Sequence, residues 1–115
     1  MTIADIAVLI VAALHAVFLV LEMFLWNTPF GRKTFGLTPE FATQSAKLAA
    51  NQGLYNGFLA VGLVLAVVTH DFHAKIFLLG CVIVAGLYGG FTVKKSILVI
   101  QALPALIALV LLHFP

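Results

Sequence analysis

Apolar residues run through this chain in long uninterrupted stretches, not in the alternation of a half-buried strand or the narrow stripe of a soluble helix. Four such stretches cover approximately residues 3–26, 48–69, 75–93 and 96–114. A bilayer core about 30 Å thick needs about 20 apolar residues in a helix, because backbone exposed to lipid must bond within its own segment. The pattern therefore predicts an all-α polytopic membrane protein, an antiparallel four-transmembrane-helix bundle forming a single integral membrane domain over residues 1–115. The first stretch differs from a signal peptide: Asp5 stands where a basic n-region belongs, the apolar run is too long, and no small-residue cleavage site follows. It is read as a retained helix. Pro104 removes one backbone bond from the fourth stretch and is expected to kink it. Between the first two spans lies a loop over residues 27–47, in which Thr38-Pro39-Glu40-Phe41 carries the signature of a helix start. A short amphipathic interfacial helix is expected from about Pro39. Spans three and four are joined by little more than Lys94-Lys95-Ser96, which makes them an antiparallel hairpin.

Composition agrees and narrows the function classes. Hydrophobic residues make up 63% and charged ones 9% of the chain, with a mean hydropathy of +1.20. A soluble domain has about 25% charged residues. A soluble enzyme, a disordered chain and a nucleic-acid-binding protein are excluded, the last because a net charge of +2 builds no basic face. Cys81 is the only cysteine, so a disulfide scaffold is excluded too. Arg32, Lys33 and Lys47 flank the first connection and Lys94 and Lys95 form the third, leaving Lys75 alone on the other side. The positive-inside rule places the five on the cytoplasmic face of the cell (inner) membrane, with both termini and the residue 70–73 turn outside.

Ionisable groups within spans cost about 2.5–3.5 kcal/mol each on insertion scales, so each needs a partner or a use. His15 and Glu22 are seven residues apart and share one face of the first helix. The second span carries Asn51, Gln52, Tyr55 and Asn56, the third Tyr88 and the fourth Gln101. At 1.5 Å per residue, Glu22, Asn51, Gln52, Tyr55, Tyr88 and Gln101 fall about 5–10 Å from the cytoplasmic boundary, while His15 and Asn56 lie about 12–17 Å deep. Asn, Gln and Tyr at such positions commonly act as interhelical hydrogen-bond glue. Glu22 is different, because a carboxylate needs a cation or several donors and its span holds no Lys or Arg. Glu22 and His15 are thus the candidate acid/base residues, and Asn51, Gln52, Tyr55, Asn56, Tyr88 and Gln101 the candidate ligand-binding residues. Gly53-x-x-x-Gly57 and Gly86-x-x-x-Gly90 mark close helix approaches. His70, Asp71 and His73 share a short turn, with His113 at the same membrane face, and are read as solvated; no metal is expected there.

The runs Leu21-Glu22-Met23-Phe24-Leu25-Trp26, Thr28-Pro29-Phe30-Gly31-Arg32-Lys33 and Asn51-Gln52-Gly53-Leu54-Tyr55-Asn56-Gly57-Phe58 resemble the small bacterial membrane proteins of domain-of-unknown-function family 1304. That resemblance spans essentially the whole chain. It implies a four-helix integral membrane protein with Glu22 and the 51–56 segment as its hallmark; it carries no established activity to transfer, and the cofactor is left unknown. Three functions compete. In the first, the chain binds or converts a lipophilic small molecule at the polar layer centred on Glu22. In the second, it is a structural or accessory membrane subunit whose polar layer fixes helix packing. In the third, it is a proton-coupled small-molecule exporter, similar to small multidrug transporters in length, span number and first-helix glutamate; that reading requires a homo-oligomer. Membrane lipid is a partner in every case.

Overall fold

Thr2 starts the first helix. Its hydroxyl accepts the Asp5 N–H (3.0 Å) while Asp5 Oδ2 accepts the Thr2 N–H (3.2 Å), a reciprocal capping box that satisfies two otherwise orphaned donors. A computed structural model describes residues 1–114, and its elements are α1 (Ile3–Met23), α2 (Pro29–Phe35), α3 (Pro39–Val68), α4 (Phe72–Thr92), a π-helical turn (Leu98–Ala102) and α5 (Leu103–Leu112). Among the described residues, α1, α3 and α4 are long and apolar enough to cross a membrane. The chain forms two compact units: residues 15–59, and residues 1–14 together with the chain from Ala60 onward.

In the unit of residues 15–59, the stretch expected to be mostly loop is largely helical. α1 ends at Met23, three residues short of Trp26, and the chain turns through residues 24–28. Thr28 then caps α2: its hydroxyl accepts the Gly31 N–H (3.1 Å) and donates to the Leu25 carbonyl (2.6 Å), with Pro29 pre-set for the first helical turn. Gly36, at φ +66°, closes α2 in the left-handed conformation that glycine adopts without cost. The Trp26 indole donates to Ser45 Oγ (3.0 Å) and Asn27 Nδ2 to Thr43 Oγ1 (3.2 Å), fastening this segment to the first turns of α3. Gly31 is essential to that turn, since a Cβ there would collide with the Leu25 carbonyl oxygen. Gly31→Ala is expected to displace α2 and lower the thermal midpoint in detergent, with a cost at the top of the ~1–3 kcal/mol range for overpacking.

The helix start at Thr38-Pro39 is where the sequence places it, and the Thr38 hydroxyl accepts the Phe41 N–H (3.1 Å). The separate interfacial helix is not found. α3 runs unbroken for 30 residues, because no Gly or Pro interrupts the chain between Pro39 and Gly53 and Ala, Gln, Lys and Leu favour helix throughout. At about 45 Å it is longer than a bilayer core is thick.

In the other unit, Asp71 caps α4 by accepting the Ala74 N–H (3.0 Å), so the carboxylate of the His70-Asp71-Phe72-His73 turn serves the helix. The buried positions of α4 are Lys75, Leu79, Val82, Gly86 and Gly90, one stripe at helical spacing. The stripe faces the last segment of the chain across small residues: a Cβ on Gly86 would meet the Ala102 backbone, and one on Gly90 would meet the Leu98 side chain. The fourth apolar stretch differs from a single spanning helix. Pro104 offers no N–H and its ring crowds the carbonyl four residues earlier, and just before it the backbone widens to a π-turn in which the Leu103 N–H reaches the Leu98 carbonyl. The α-helix beyond has 10 residues.

Candidate functional site

Within residues 15–59, Gly53 and Gly57 bring α3 against the last two turns of α1. A Cβ on Gly53 would stand 2.7 Å from Met23 Cγ and 3.1 Å from Glu22 Cβ, and one on Gly57 would stand 2.5 Å from Leu19 Cδ1. This approach sets Asn56, which is buried, beside Glu22, which is partly exposed. The Asn56 side-chain amide donates to Glu22 Oε1 at 2.5 Å. A carboxylate has about four lone-pair sites, and this bond uses one. The ion pair found among the described residues lies elsewhere, so Glu22 has a neutral partner and no cation.

His15 is 1% exposed, its ring edge-on to Phe18 at 5.3 Å between centroids. Asn51, Gln52 and Tyr55 are exposed. Asn51 and Tyr55 lie on the side of α3 opposite the buried Ala49–Gly53–Asn56–Ala60 face, and Tyr55 stacks edge-on with Phe58 at 5.7 Å. Tyr88 and Gln101 belong to the other unit, where Tyr88 is 72% exposed and Gln101, partly exposed, sits in the π-turn. Of the polar residues singled out in the sequence, the structure thus brings Glu22 and Asn56 into direct contact.

Asp5 and Lys75, which the sequence analysis does not join, form a buried pair. Lys75 Nζ lies 2.9 Å from Asp5 Oδ1, with both residues less than a tenth exposed. The signal available in the sequence was the isolation of Lys75 from the five other basic residues.

A relative of this chain matches it along nearly its full length. A protein of Lactococcus lactis subsp. lactis (strain IL1403), named Uncharacterized protein YpaA, is 31% identical over 115 residues, covering 96% of this chain and 97% of its own. No solved structure matches. The family described as Protein of unknown function (DUF1304) matches residues 9–113, which include Glu22, both glycine pairs and the π-turn. The chain belongs to the DUF1304 family.

Proposed function

We propose that this protein is a multi-pass protein of the cytoplasmic membrane that binds a lipophilic small molecule through a hydrogen-bond-donating head group, such as an amine, hydroxyl or amide, at Glu22. The observation that carries the reading is the partly exposed Glu22, whose carboxyl accepts one protein donor, Asn56, and has lone pairs to offer a further donor. An acceptor left unmatched in an apolar setting is costly, and a ligand donor removes that cost. Binding is better supported than conversion, because the nearly sealed His15 ring has little surface to offer a substrate. In this reading the apolar stretch Leu98–Leu112 makes the fourth, short crossing, its mismatch taken up by local thinning of the bilayer. The first ten or so residues of α3 then stand outside the hydrocarbon, so Asn51 and Gln52 lie near the interface and Tyr55 about one turn deeper, where aromatic rings anchor spans.

The test is mass spectrometry of lipid extracts from detergent-purified parent and Glu22→Gln protein. The expected result is at least about tenfold less of one donor-bearing amphiphile on the variant, corresponding to about 1.4 kcal/mol, with the thermal midpoint held. Equal retention would remove the basis for this site. A structural clamp is the second reading, favoured by the burial of Asn56 and the tight Gly53 approach; it predicts a lowered thermal midpoint and unchanged bound lipid.

A further inference from the structure

Away from Glu22, a cavity of about 350 Å³ opens in the unit that joins residues 1–14 to the chain from Ala60 onward. Asp5 and Lys75 line it together with His70, and Ile3, Leu111 and Phe114 contribute apolar wall. Both charged residues are more than nine-tenths buried. The Lys75 ammonium has three N–H donors, of which Asp5 Oδ1 takes one. Asp5 Oδ2 accepts the Thr2 N–H, and the two carboxylate oxygens together keep unused acceptor sites. An isolated buried pair needs its remaining donors and acceptors satisfied to offset desolvation, and here that capacity borders a cavity.

We propose that this cavity binds the zwitterionic head group of a phospholipid-like amphiphile, its anionic oxygens on Lys75 Nζ and its primary ammonium on Asp5. The wall carries one charge of each sign 2.9 Å apart, so it presents a dipole and no net charge. A simple anion gains from Lys75 and loses to Asp5, and a simple cation does the reverse. A head group bearing both charges gains at both ends. The apolar wall extends the match to the first part of an acyl chain. The volume lies at the small end of ligand pockets, enough for a head group and too little for a whole lipid, so the rest of the molecule extends into the bilayer. The site lies at the start of α1, α4's first turn and the end of α5, at the ends of apolar segments, where head groups reside. This inference is independent of the reading of Glu22.

Native mass spectrometry of the full chain in detergent tests it, with phosphatidylethanolamine and phosphatidylglycerol of identical acyl chains as probes. The parent is expected to retain the ethanolamine lipid at least tenfold more strongly than the net-anionic glycerol lipid. Equal retention overturns the proposal, and this comparison needs no variant. Asp5→Leu combined with Lys75→Met removes both charges at once; its expected result is a loss of that preference by at least tenfold, with helicity by circular dichroism intact. A folded double variant that keeps the preference also overturns the proposal. Free O-phosphoethanolamine at the lipid's concentration is expected not to displace it. Displacement would show that the head group alone suffices and would overturn the assignment to an amphiphile.

Discussion

Lys75→Met is expected to destabilise the protein by about 3–5 kcal/mol, the cost of leaving a buried carboxylate without its cation. Lys75 Nζ is the ion-pair partner of Asp5, and the pair is less than a tenth exposed. The variant fills most of the lysine's volume, so the loss reports the stranded charge and not a cavity. Asp5→Leu should cost a similar amount by stranding the ammonium, and it also removes one half of the Thr2 capping box. The double variant should be much closer to the parent than the sum of the two, because apolar replacements of a buried pair relieve its desolvation. Reversible unfolding in mixed detergent micelles gives the four corners of this cycle. Additive losses would mean that the two charges do not act as a pair. The expected coupling also makes the double variant a usable folded control for lipid binding at the adjoining cavity.

Gly86→Ala is expected to separate α4 from the π-turn at a cost of about 1–3 kcal/mol. A Cβ at Gly86 would lie 2.8 Å from the Ala102 nitrogen, 2.9 Å from its Cβ and 3.0 Å from its Cα. Backbone atoms cannot swing aside, so the two segments must move apart. Gly80→Ala, on the same helix, meets nothing within 4 Å and should be neutral or stabilising by up to about 1 kcal/mol, the difference in helix propensity. Gly90→Ala is expected to be destabilising too, because its Cβ would meet Leu98 at Cγ as well as Cδ2, so that whole side chain must be displaced. Thermal midpoints in one detergent order the three variants. Equal behaviour of the Gly80 and Gly86 variants would show that the helix–helix approach does not depend on the missing side chain.

These positions separate what local sequence carries from what it does not. Both Gly-x-x-x-Gly runs were legible as close contacts, and each meets another segment: Gly53 and Gly57 meet α1, Gly86 and Gly90 the segment around the π-turn. The Thr38-Pro39 helix start was legible too, as was backbone disturbance around Pro104. The continuity of α3 was misjudged because a polar composition over residues 39–47 was read as a boundary, whereas a helix stops only where backbone geometry or bonding stops it. The α2 turn was missed because it depends on Gly31 fitting against the Leu25 carbonyl and Trp26 reaching Ser45, neither of which is periodic.

The candidate site divides in the same way. Glu22 stood out because a carboxylate within an apolar run is expensive wherever it points. Its bond to Asn56, the outward position of Asn51 and Tyr55, and the membership of Tyr88 and Gln101 in another unit could not be read from depth alone. That the chain is all-helical, with segments long enough to cross a bilayer, was legible from run length and charge scarcity, which are local quantities set against a fixed hydrocarbon thickness. Which polar groups meet is a matter of helix packing. Those pairings, Glu22 with Asn56 and Asp5 with Lys75, depend on the rotation and register of each helix; for Glu22 and Asn56 these are set where Gly53 and Gly57 let α3 approach α1.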